Sequence, residues 1–225
     1  MPDLLIREGM HADASAVVGY PPSRACDDGL SIGLDARIRS GSTIYLGSRI
    51  GGRFQTGHNV VVREECTIGD DVSIWSNTVI DYGCRIGDRV KIHSNCYVAQ
   101  YTEIADDAFL APGVCVANDL YPGRAASAEL MSGPYIGAGA QIGVNVTLLP
   151  FVRIGEGSLI GAGAVVVSDI PAGCVAFGSP AVVRGRVDEL RAIERRVEPV
   201  PGSASRYRRV RPRAVARLRS VCDDD

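Results

Sequence analysis

Residues 66–98 read CTIGDDVSIWSNTVIDYGCRIGDRVKIHSNCYV, and Ile68, Ile74, Ile80, Ile86, Ile92 and Val98 fall on every sixth position. The beat runs back through Val62, Thr56, Ile50, Ile44 and Ile38 to Ile32, and forward through Ile104 and Leu110 to Val116. It then breaks and resumes at Ile136, Ile142, Leu148, Ile154, Ile160 and Val166. Of these 21 positions, 20 are Ile, Leu or Val. Neither the 3.6-residue period of a helix nor the two-residue period of a simple strand produces it.

A coil with flat sides and tight corners does. The residue after each aliphatic is Gly nine times and Ala four times, which relieves crowding where the backbone bends. The residue two before it is small or β-branched, as at Cys66, Val72, Thr78, Cys84, Val90, Cys96 and Thr102. Each unit therefore reads as a short strand plus a turn, with neighbouring units burying one another's aliphatics.

This pattern resembles the hexapeptide-repeat acyltransferases over roughly residues 30–183. The resemblance implies an all-β fold, a left-handed parallel β-helix of about seven coils, with three hexads to a coil. The chain divides into an N-terminal lead-in (1–29), the β-helix (30–183) and a C-terminal helix and basic tail (184–225). Val116 to Ile136 spans 14 residues more than one hexad, so 117–135 protrudes as a loop rich in turn residues. In the family such a loop reaches a neighbouring subunit, which implies a homotrimer with sites between chains. Gly178-Ser179-Pro180-Ala181 matches the family's closing G-x-P-A. VDELRAIERRVEP then reads as a short helix ended by Pro199.

Composition narrows the classes. The net charge of −2 gives no reason to expect nucleic acid as a partner. Residues 184–225 hold 12 Arg against seven acidic residues, a basic tail on an acidic body. Seven cysteines, an odd number without a CxxC pair, argue against a secreted disulfide framework, and with three histidines against zinc. Buried in the small inward column, Cys66, Cys84 and Cys96 act as small hydrophobes. No apolar run is long enough to span a membrane. The expectation is a cytoplasmic protein without a metal.

Acyl transfer from a thioester needs a group to take the acceptor's proton, donors for the thioester oxygen, and a groove for the coenzyme. His93 follows Ile92 where Gly or Ala is usual, so its ring projects from a corner. It is the candidate general base, against the alternative of a surface turn histidine. Trp75 shares its column one coil earlier. Asn59, Asn77 and Asn95 repeat at 18-residue intervals; they serve left-handed turns, or Asn95 touches the acceptor beside His93.

Thr56-Gly57-His58-Asn59-Val60 and Asn118-Asp119-Leu120-Tyr121-Pro122 are similar to stretches of nucleotide-sugar N-acetyltransferases. That resemblance implies acetyl-CoA as co-substrate and a nucleotide-linked amino sugar as acceptor. Asn118 and Tyr121 would bind it, and Asp119 would orient or deprotonate the amine, or else cap the loop. A sugar O-acetyltransferase is the alternative. Ala138, Ala162 and Gly163 resemble the family's pantetheine groove, closed by Pro180, with Arg184 and Arg186 for the phosphates. A carbonic anhydrase of the same fold would need three clustered histidines, but His11 precedes the coil, and His58 and His93 lie about two coils apart.

Overall fold

The computed structural model describes residues 4–26, 29–124 and 127–194. The chain divides into two compact units, residues 1–185 and 186–225. The first is a left-handed parallel β-helix of three sheets, with almost no helix. Face one carries eight strands, ending in Ile6, Ile32, Ile50, Ile68, Ile86, Ile104, Ile136 and Ile154. Face two carries ten and face three eight. Along the stack, partners are 18 residues apart, as in Ile68↔Ile86, Ile74↔Ile92 and Ile80↔Val98.

The core follows from the beat. In one coil, Ile68, Val72, Ile74, Thr78, Ile80 and Cys84 are all at most 3% exposed. The third corner residue takes a left-handed conformation, at φ near +60° in Asp71, Asn77 and Asn95. That is the turn role expected of the asparagine ladder. Asn59 also donates from Nδ2 to Asn77 Oδ1 at 3.2 Å.

The buried hydroxyls and thiols have a shared job. Ser48 Oγ donates to the Arg63 carbonyl (2.8 Å), Thr78 Oγ1 to His93 (2.7 Å), Cys66 Sγ to Asp81 (3.1 Å) and Cys96 Sγ to Ala111 (3.2 Å). Each ties an inward side chain to a corner carbonyl 15 residues on. Burial pushes the Cys96 thiol up, and hydrogen bonding to Cys66 together with burial does the same for Cys84, so both stay protonated donors.

One boundary differs from the sequence expectation. The stack holds eight coils, because Leu4–Tyr20 form a turn of their own rather than a lead-in. Ile6 pairs with Ile32 and His11 with Arg37. Ile6, Ala12 and Val18 keep the six-residue spacing, but partners are 26 residues apart here, since eight extra residues intervene before Leu30. His11 therefore belongs to the coil, on face two. The second excursion lies where expected: Ile104 pairs with Ile136 across it. It includes a one-turn helix at Ser127–Leu130.

In the second unit, Val187–Glu194 form a helix. Arg186 pairs with Asp188 at 3.5 Å, and its N–H donates to Glu189 Oε2 at 3.3 Å. Pro199 and the basic tail lie outside the described residues.

Candidate functional site

Three corners run along the prism, and they differ in chemistry. Faces one and two meet at an aspartate corner with Asp70, Asp71, Asp88, Asp106 and Asp107. Faces two and three meet at a histidine corner with His58, Trp75 and His93. Faces three and one meet at a tyrosine corner with Tyr45, Tyr82 and Tyr101, from which the 117–135 loop leaves.

At the histidine corner, the His93 ring stacks on Trp75 with centroids 4.4 Å apart and planes 11° apart. Phe109 tilts against its other side at 4.9 Å. Thr78 holds its carbonyl from inside, and its N–H donates to Leu110. The imidazole is thus fixed on two faces and remains half-buried at the surface. His58, one column over and two coils down, is exposed, and its N–H donates to Ser76 Oγ at 3.0 Å.

Toward the C-terminal end, the column above His93 continues through Ala111, Gly143 and Gly161 to Phe177. It is a track of small residues three rungs long, about 14 Å at the strand spacing. Gly143 must be glycine, because a Cβ there would sit 2.7 Å from the Ala162 backbone N. Arg184 lies over Phe177 at 5.8 Å, at the far end of the track.

The backbone supplies donors along it. On the aspartate corner the middle N–H of three successive turns is capped from the next coil: Gly52 by Asp70 at 2.7 Å, Asp70 by Asp88 at 2.8 Å, Asp88 by Asp106 at 3.0 Å. On the histidine corner, no acceptor among the described residues takes the equivalent N–H of Ser94, Val144 or Ala162. Ala162, Gly163 and Arg184 therefore share one corner with His93 and Trp75. Ala138 does not: it lies on the aspartate corner. Pro180 is in the exposed turn joining the last two strands of face two, and Arg186 belongs to the second unit.

Asn118, Asp119 and Tyr121 lie at the opposite end of face three from His93, so a single chain does not bring them together. Asn118 is 9% exposed and donates from Nδ2 to Gln100 Oε1 at 2.7 Å. Its carbonyl accepts the Ser132 N–H at 3.0 Å, closing the loop's base. Asp119 caps the loop, accepting from the Tyr121 N–H at 2.7 Å and from Ser127 Oγ. Tyr121 is 53% exposed with the Arg124 guanidinium 4.9 Å from its ring centroid.

Below Asn118 lies a network that the sequence reading missed. Glu64 is fully buried, and Arg63 donates to both its oxygens at 2.9 and 3.0 Å. Burial pushes the Glu64 carboxyl up, but Arg63 outweighs it and leaves it below its ordinary value. Asp81 joins Arg63, Tyr97 and Gln100. Arg24, from the first excursion, pairs with Glu65 at 2.9 Å and lies 4.0 Å over Tyr82. The 18-residue spacing of Arg63 to Asp81 and of Gln100 to Asn118 was the available signal.

Among the described residues, no group of His, Cys, Asp and Glu is placed to hold a metal, and no helix is long and apolar enough to cross a membrane. Two shallow depressions on face one, one of them bordered by Gly52 and Asp70, contain neither His93 nor Asn118.

The family described as bacterial transferase hexapeptide (six repeats) matches residues 47–81, 83–118 and 133–168. A galactoside O-acetyltransferase of Lactococcus lactis is 33% identical over 38% of this chain and 44% of its own length. A 2,3,4,5-tetrahydropyridine-2,6-dicarboxylate N-acetyltransferase of Clostridium perfringens is 52% identical over 21% of this chain and 20% of its own. The chain thus spans less than half of either relative. The solved UDP-N-acetylglucosamine acyltransferase from Campylobacter jejuni superposes with a TM-score of 0.64 at 22% identity, covering 88% of this chain and 78% of that one, and so shares the fold.

Proposed function

We propose that this chain, whose repeats match the bacterial hexapeptide transferase family over residues 47–81, 83–118 and 133–168, transfers an acetyl group from acetyl-CoA to the amine of a nucleotide-linked sugar. The observation that carries this is the histidine corner. A clamped imidazole stands at one end of a small-residue track whose outward N–H groups have no acceptor among the described residues.

The coenzyme's pantetheine lies along Ala111, Gly143 and Gly161 with its amides against the N–H groups of Val144 and Ala162. Arg184 faces its phosphates. The thioester reaches His93, where the Ser94 N–H meets the oxygen as it gains charge. The acceptor nitrogen forms the C–N bond, the C–S bond breaks, and the proton lost by nitrogen passes to His93 and then to the departing thiolate. Nothing covalent forms on the protein.

The acceptor is held by the loop. Since Asn118 and His93 lie at opposite ends of face three, the loop comes from a second copy, in a homotrimer with sites between chains. Asn118 orients the amine with Asn95. Asp119 has about four acceptor positions, and its two loop bonds leave it able to take an N–H. Tyr121 and Arg124 offer a ring and a cation to the nucleotide. Cysteines unpaired among the described residues support a reducing cytoplasm as its setting.

The test is to offer acetyl-CoA with amino and hydroxy sugar nucleotides and follow thiol release. Release with the amino acceptor supports the proposal. Release with the hydroxy acceptor alone overturns it in favour of O-acetylation, the reaction named for the Lactococcus lactis relative.

A further inference from the structure

We infer that Asp81 decides which atom of Asn118 faces the acceptor, and thereby suits the site to an amine. This rests on the amine-transfer reading above. Asp81 sits at the tyrosine corner one coil below Gln100, its side chain 8% exposed. A carboxylate only accepts. Oδ1 accepts from the Arg63 guanidinium at 3.3 Å and the Tyr82 N–H at 2.8 Å. Oδ2 accepts from the Tyr97 hydroxyl at 2.8 Å and Gln100 Nε2 at 2.6 Å.

The consequence propagates upward. Gln100 has to turn its NH2 toward Asp81, which leaves Oε1 facing the next coil. There it can only accept, so Asn118 has to donate from Nδ2, at 2.7 Å. Asn118 Oδ1 is thus directed away from the stack, and no described residue donates to it. Two amides, each free in principle to flip, are locked in series by one carboxylate. Tyr97 cannot reverse the order, because burial and the Asp81 hydrogen bond push its phenol up and keep it a donor.

An outward oxygen matters to the chemistry. It accepts one N–H of an amine, leaves the lone pair for the thioester, and holds the nitrogen as it turns cationic. An outward NH2 would donate to that lone pair and idle it. A hydroxyl has a single proton, and giving it to Asn118 withholds it from His93. Asp81 is a positioning residue: its four bonds are made within the chain.

The experiment follows the chain of amides. In Asp81→Asn the introduced oxygen stays with Arg63 and the Tyr82 N–H. Its NH2 then faces Gln100, and both amides turn over. Turnover of the amino acceptor is expected to fall about tenfold, one hydrogen bond's worth, with KM for acetyl-CoA unchanged. Adding Gln100→Glu restores the order, since a carboxylate there accepts from both neighbours. The double variant is expected within about threefold of wild type, a rescue that lost packing would not give. Thermal melts establish that each variant folds. Gln100→Leu breaks the same link without touching Arg63 and is expected to match the single variant. Wild-type turnover in folded Asp81→Asn or Gln100→Leu overturns the inference, as does a double variant no better than the single. A wild type that ignores amines overturns the amine reading itself, and this inference with it.

Discussion

Changing Ala162 to Asp should weaken acetyl-CoA binding while firming the fold. On the aspartate corner, an Asp at the middle turn position caps the N–H of the coil below at 2.7 to 3.0 Å. Val144 and Ala162 stand in the same relation as Gly52 and Asp70, because Gly163 N–H donates to Val144 O as Asp71 N–H does to Gly52 O, at 2.8 and 2.9 Å. A carboxylate at 162 would therefore take the Val144 N–H that we assign to pantetheine. Losing one such bond costs about 1 to 1.4 kcal/mol, which is roughly a five- to tenfold rise in KM for acetyl-CoA. The added negative charge near the coenzyme's phosphates acts in the same direction. The melting temperature should hold or rise slightly, because an uncapped donor gains an acceptor. Steady-state thiol release against acetyl-CoA concentration, with a melt of each protein, reads both. An unchanged KM with an unaltered melt would refute the assignment of this corner to the coenzyme.

Other outcomes follow from the same geometry. His93→Ala should lower turnover at least about tenfold, the low side of general-base effects, and an unchanged rate removes His93 from the mechanism. Ile92→Ala should cost about 2–5 kcal/mol in chemical denaturation, since Ile92 is 0% exposed in the close-packed stack. Thr78→Val should cost about 1–3 kcal/mol by leaving the His93 carbonyl without its buried donor, and should lower turnover more than a core substitution of equal cost elsewhere. Glu64, depressed in the fold by Arg63, contributes stability that is full above its ordinary value of 4.5 and is lost as pH falls through the lowered folded value. Glu64→Gln should therefore flatten the acid limb of a stability–pH profile, and an identical limb would contradict the pairing.

How much of this was legible in the sequence depended on spacing. The aliphatic column from Ile32 to Val166 sets the fold, because each coil buries its three aliphatics against those of the coils above and below. The first coil escaped notice because Ile6, Ala12 and Val18 are separated from Ile32 by an excursion of their own. His93 and Trp75 stood out as rings in a column where Gly and Ala fill 13 of 21 places. The tyrosine corner did not, since Glu64, Asp81 and Gln100 read as ordinary turn residues until stacking placed them on one another. Ala138 and Ala162 were grouped by composition, yet they are 24 residues apart, one coil and one face, and so fall on different corners. That Asn118 and His93 end up apart within a chain is also a matter of which face each hexad occupies, which composition does not carry.

A crystal structure with coenzyme A bound tests the central claim most directly. We predict the pantetheine arm along Ala111, Gly143 and Gly161, its thiol at His93, and the 117–135 loop of a second copy across it. Coenzyme seated on face one or on the aspartate corner, or a lone chain binding none, would contradict the account.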